Sequence, residues 1–121
     1  MSEMPNKHEK LNYVEFATSD LSATKHFFST VFNWQFTDYG EQYSAFDHQG
    51  LDGGFYQAEL ASKTASGGAL LVFYSENLAN TQAKIEAAGG EINVPVFDFP
   101  GGRRFHFIEP SGNEFAVWSD R

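Results

Sequence analysis

The chain has 121 residues and carries 8 Lys and Arg against 16 Asp and Glu, a formal charge of -8, with no cysteine. That length suits one domain with its own core. The acidic balance argues against a nucleic-acid-binding surface, which needs clustered Lys and Arg, and the missing cysteines exclude disulfide or thiol chemistry and fit a cytoplasmic protein.

In chain order, residues 1–10 (MSEMPNKHEK) are polar, lack the apolar core of a signal peptide and read as a flexible arm. Leu11 to Thr18 alternates and reads as a strand. Ser19 or Asp20 then caps a helix with apolar positions Leu21, Phe27, Phe28, Val31 and Phe32, and Asn33 suits its left-handed end. Trp34 to Asp38, Tyr43 to Asp47 and Gly53 to Gln57 read as strands, with a turn at His48-Gln49-Gly50. Residues 58–68 are small and polar, a natural linker. Ala69 to Tyr74 is a strand, and as the longest apolar run it is far too short to span a membrane. Asn77 caps a helix over Leu78 to Ala88 that stops at Gly89-Gly90. Strands follow at Glu91 to Val96, Arg104 to Ile108 and Glu114 to Ser119, the last two joined by a Pro-Ser-Gly-Asn turn.

The two halves repeat. Moved forward by 57 residues, Phe16 falls on Phe73, Asp20 on Asn77, Leu21 on Leu78, Thr24 on Thr81 and Phe28 on Ile85. At an offset of 62, YSAFDHQG ending at Gly50 echoes FHFIEPSG ending at Gly112. Such a repeat implies a unit that needs its copy to bury its apolar face. The predicted fold is therefore α+β: two βαβββ modules, 11–57 and 69–119, in one domain spanning 11–119.

The stretches NYVEFATSDLSATKHFFSTVFNW (Asn12 to Trp34) and PGGRRFHFIEPSGNEFAVW (Pro100 to Trp118) resemble the vicinal-oxygen-chelate superfamily of glyoxalase I, extradiol dioxygenases, fosfomycin-resistance enzymes and bleomycin-resistance proteins. The resemblance implies sheets curled into a U-shaped cleft and, in the family's enzymes, a divalent metal held by one residue from the first and last strand of each module. Carried over position by position, the four ligands would be Tyr13, seven before Asp20; Leu70, its counterpart in the repeat; Ala116, four after Gly112; and Gly54, its counterpart. Leu, Gly and Ala offer no donor and a lone Tyr is a poor ligand, since these metals want imidazole, carboxylate or thiolate. No cofactor is expected, and a divalent metal only if the mapping is displaced. His48, Asp52 and Glu59 read as turn or loop residues and do not repair the set.

Strand alternation then fills the cleft. Tyr13 and Glu15 share a face, as do Leu70, Val72 and Tyr74; Gly54 and Tyr56; and Glu114, Ala116 and Trp118. The expected binding residues are Tyr13, Glu15, Tyr56, Tyr74, Arg103, Arg104, Glu114 and Trp118. Aromatic walls with few polar groups suit a small flat or amphipathic molecule. Glu15 and Glu114 are candidate acid/base groups, or carboxylates paired with Arg103 or Arg104; either arginine could instead clamp a ligand carboxylate or phosphate. Of the histidines only His106, on a strand, is placed to reach the cleft, and a single strand histidine is more often packed than catalytic. The reading is a metal-free, glyoxalase/bleomycin-resistance-like homodimer that binds a small organic molecule. Two alternatives are a lyase, isomerase or dioxygenase using Glu15, Glu114 or a non-standard metal site, and an interaction module with a vestigial cleft.

Overall fold

The computed structural model describes residues 6–121. The expected arm thus falls partly outside the described residues; within it, Asn6 accepts a hydrogen bond from the Asn12 amide at 2.9 Å. The elements are β1 (Tyr13–Thr18), α1 (Leu21–Phe32), β2 (Phe36–Asp38), β3 (Tyr43–Gln49), β4 (Leu51–Gln57), β5 (Leu71–Tyr74), α2 (Leu78–Ala87), β6 (Glu91–Phe99), β7 (Gly102–Ile108) and β8 (Glu114–Ser119). A single 3-10 turn, Thr64–Ser66, interrupts the linker.

Two four-stranded sheets result, ordered β1-β4-β3-β2 and β5-β8-β7-β6, each with one parallel pair and two antiparallel pairs. This is the tandem βαβββ arrangement that the repeat predicts. Both helices begin where a short polar side chain can accept from an otherwise unpaired backbone N–H: Asp20 accepts from Ala23, and Asn77 from Asn80. Asn33 ends α1 in the left-handed region at φ 59°. Each cap contributes about 1 kcal/mol, so Asp20→Ala is expected to lower the urea midpoint modestly without altering the circular dichroism of the folded state.

Two expectations need extending. β3 and β4 run through the expected His48-Gln49-Gly50 turn, so that only Gly50 lies between them and His48 and Asp52 are strand residues, not turn or loop residues. β6 continues past Val96 to Phe99, through Pro95. Proline lacks the N–H a ladder needs, but β6 lies at a sheet edge and its pairing slips between Ile92 and Val94 and again between Val94 and Phe97. β7 accordingly begins at Gly102, where any Cβ would strike the Ser119 carbonyl oxygen of β8.

The core lies on the helix-facing sides of both sheets. Phe16 and Phe55 of sheet one, Phe27 and Phe28 of α1, and Phe105, Phe107 and Phe115 of sheet two are all buried. The Phe28 ring stacks on Trp34 at 4.5 Å and meets Phe115 edge-on at 5.3 Å, so α1 joins the two modules. Because every second strand residue enters this core, the alternate residues are turned to the opposite, outer faces. Among the described residues no helix is long and apolar enough to cross a membrane.

Candidate functional site

On the outer face of sheet one, β1 and β4 run parallel with Tyr13 opposite Asp52 and Glu15 opposite Gly54. Tyr43, from β3, reaches across this surface. Its hydroxyl donates to Glu15 Oε2 at 2.9 Å and lies 2.5 Å from the Tyr13 hydroxyl. Since Tyr43 spends its one proton on Glu15, Tyr13 is the donor in the second bond. Burial, and then the bonds to Tyr13 and Glu15, push the Tyr43 pKa upward, so it stays a neutral phenol. A Cβ on Gly54 would collide with the Tyr43 ring and hydroxyl. Glycine is therefore what allows Tyr43 to lie here, and Tyr43 takes the space a longer side chain at position 54 would use.

Gly54→Ala is expected to drive Tyr43 off this surface, at about 1–3 kcal/mol of overpacking cost, and to expose its ring to solvent. Tyrosine fluorescence quenching and urea unfolding would both record the change. If the variant is as stable as the parent, Tyr43 is not held there.

On the outer face of sheet two, the pairs are Trp118 with Arg104, Ala116 with His106 and Val72 with Ala116. Glu114 is 4% exposed and is the hub. Its Oε1 accepts from the Thr64 N–H at 2.8 Å and the Thr64 hydroxyl at 2.9 Å, and its Oε2 faces His106 Nδ1 at 2.9 Å and accepts from the Asn93 amide at 3.2 Å. Burial alone raises this carboxyl's pKa, but the bonds from His106, Thr64 and Asn93 outweigh it and bring the pKa to about 2. An ionised carboxylate only accepts, so His106 Nδ1 carries the proton and, in the neutral ring, Nε2 keeps its lone pair. Glu114 thus serves to orient His106, with its lone pairs committed to four donors.

The sequence-derived site residues divide between these faces. Tyr13 and Glu15 meet through Tyr43, and Tyr56 lies beside them, half-exposed and opposite Tyr43 in the ladder. Tyr74 meets Trp118 edge-on at 5.2 Å and donates to Asp120 at 2.5 Å, which holds the Asp120 carboxyl below its usual range. Arg104 sits with its guanidinium 5.2 Å from the Phe97 ring and 5.9 Å from Phe99. Arg103 is on the opposite side of β7, opposite Ser119, where it donates to the Arg121 carbonyl at 3.5 Å. Neither arginine pairs with Glu15 or Glu114 among the described residues. Leu70 precedes β5 and lines an apolar cavity of about 470 Å³ at that strand's edge, with Phe16, Trp34, Phe73, Val72 and Tyr74. Sequence reasoning passed over Tyr43, Thr64, Asn93 and Phe97. Only the adjacent glycines 53 and 54, an odd choice in a strand, signalled that something approaches closely there.

The donor set at the four family ligand positions does not fit a divalent metal. Leu70 and Ala116 are aliphatic, Gly54 is covered by Tyr43, and Tyr13 is engaged with that same hydroxyl. Among the described residues no three His, Cys, Asp or Glu gather to hold a metal ion.

Among curated proteins none matches the sequence. Solved structures do. A glyoxalase/bleomycin resistance protein/dioxygenase family enzyme from Burkholderia phytofirmans superposes with a TM-score of 0.77 at 18% identity, covering 92% of this chain and 98% of that one. The genomically encoded fosfomycin resistance protein FosX from Listeria monocytogenes gives 0.76 at 18% identity, over 93% and 94%. A glyoxalase-related enzyme from Fulvimarina pelagi gives 0.76 at 15%, over 92% and 88%. At these identities the likeness is one of fold. A family model matches residues 10–117, nearly the whole domain, and the chain therefore belongs to the Glyoxalase/Bleomycin resistance protein/Dioxygenase superfamily.

Proposed function

We propose that this protein is a metal-independent member of its superfamily that binds a small organic molecule against its aromatic outer sheet faces. The observation that carries the reading is Tyr43 lying over Gly54, which puts a ring where the family's metal ligand would stand. Supporting it, Tyr13, Tyr56, Val72, Tyr74 and Phe97 leave a third or more of their surface open on these faces, apolar area that a flat ligand would cover. β1 and β5 are sheet edges with open ladder groups, and we expect a homodimer to cover them.

A thermal-shift series on the full chain tests the binding reading. At a hundredfold excess over Kd a ligand stabilises the fold by about 2.7 kcal/mol, a rise of several degrees. We expect such a rise from at least one of three probe classes, aromatic acids, alcohols or amines, and expect Trp118→Ala to abolish it. A flat response across all three classes would instead favour the vestigial module.

A further inference from the structure

We propose that Arg104 and His106 form a recognition site for an aromatic hydroxy acid: a flat molecule bearing an oxyanion and a neighbouring hydroxyl. This rests on the binding reading above and names its ligand class.

The two residues are separated by one position on β7, so they share the outer face of sheet two. Their Cα atoms are roughly 7 Å apart along the strand. The Phe97 ring ties them together, 5.2 Å from the Arg104 guanidinium and 6.1 Å from the His106 ring. Each presents a buried polar atom without a hydrogen-bond partner, Arg104 Nε and His106 Nε2. The His106 side chain is 9% exposed, so bulk water does little for it. Buried polar groups are normally satisfied, and two unsatisfied ones side by side on a sheet face need an explanation.

Their chemistry is complementary. Arg104 offers an N–H from a permanent cation, with Phe97, Phe99 and Trp118 around it; Asp98 stands opposite Arg103, not Arg104, in the β6–β7 ladder. That donor calls for an oxyanion. As a neutral imidazole with Nδ1 donating to Glu114, His106 offers a lone pair at Nε2, which calls for an O–H or N–H. Arg104's opposite in the ladder is Trp118 and His106's is Ala116, so a ring lies over Trp118 while the polar groups meet β7. One ligand that satisfies both atoms carries a carboxylate beside a hydroxyl on an aromatic frame.

The test is an NMR titration of the 15N-labelled full chain with mandelate (ring, carboxylate and adjacent hydroxyl), phenylacetate (no hydroxyl) and benzylamine (a cation). Mandelate is expected to shift the Arg104 Nε–H and the His106 ring nitrogens together and saturably. Phenylacetate should shift Arg104 but leave His106 Nε2 in place, and benzylamine should shift neither. Arg104→Gln should weaken mandelate at least tenfold and Arg104→Lys less, with amide dispersion confirming the fold of both variants. Equal shifts from benzylamine, or mandelate shifts confined to Tyr13, Tyr43 and Tyr56, would overturn this assignment while leaving an aromatic binding surface. Should no probe move any residue of either outer face, both readings fall.

Discussion

Replacing Glu114 by alanine is expected to lower the unfolding free energy by about 3 kcal/mol, since hydrogen bonds to a charged group contribute about 1.5–3 kcal/mol each and the buried His106 Nδ1 loses its acceptor. The substitution strips an acceptor from the Thr64 N–H, the Thr64 hydroxyl, the Asn93 amide and His106 Nδ1 at once; water can reach the exposed Thr64 and Asn93, whereas His106 Nδ1 is left buried without a partner. Glu114→Gln keeps the shape and the carbonyl that accepts from Thr64, so its cost should be smaller. The pH dependence has a definite sign. Glu114 has its pKa depressed from 4.5 to about 2 by folding, so its stabilisation is complete above pH 4.5 and is lost as the pH falls toward 2. Urea midpoints from pH 6 to 2, followed by tryptophan fluorescence, should fall through that window in the parent and fall less in Glu114→Gln. Identical slopes would mean that the carboxylate is not ionised in its hydrogen-bonded cage.

The second large effect is at Asn113, which is fully buried in the β7–β8 connection. Its amide donates to the Ala17 carbonyl of β1 at 2.8 Å, and its Oδ1 accepts from the Ser62 N–H of the linker at 2.7 Å. Beside it Glu109, 1% exposed, accepts from the Ser111 and Asn113 N–H groups, from the Ser111 hydroxyl and from Thr24 of α1. This loop is the polar clamp between the modules. Asn113→Ala leaves one buried carbonyl and one buried N–H unsatisfied, a cost of about 2–4 kcal/mol. Asn113→Asp is the sharper variant, because it keeps the acceptor for Ser62 but sets a carboxylate oxygen against the Ala17 carbonyl. It should be at least as damaging as alanine in chemical unfolding. An aspartate variant as stable as the parent would show that the contact with Ala17 contributes nothing.

What was legible in the sequence was local. Asp20, Asn77 and Asn33 announce helix ends because capping involves groups within a turn of one another. The alternation of β1 announces which of its residues enter the core, since its period is fixed by the backbone. The repeat then announces two modules. The candidate site was legible only as a set of faces. Tyr43 reaches Gly54 across a ladder register that depends on where the β3–β4 hairpin turns, and its pattern in sequence is that of any strand aromatic. Glu114 reads in sequence as an acid/base candidate; its hydrogen-bond partners are invisible there, because Thr64 comes from a linker with no strand or helix periodicity and Asn93 lies beside the irregular Pro95 stretch of β6. Likewise His106 reads as an ordinary strand histidine, and only the fold sets Glu114 on its Nδ1. Arg103 and Arg104 are adjacent in sequence and opposite in the fold, and only the pairing of β7 with β8 decides which faces the aromatic side.

The central claim is that this chain uses the superfamily fold without the superfamily's metal. Its most direct test is elemental mass spectrometry on untagged full-length protein, equilibrated with Zn, Ni, Mn and Fe in turn and then desalted. The account predicts less than one-tenth of an equivalent of each, by order of magnitude for a site with no donor set, and no change in thermal stability on adding the ions. One equivalent of any of them, retained and stabilising, would contradict it.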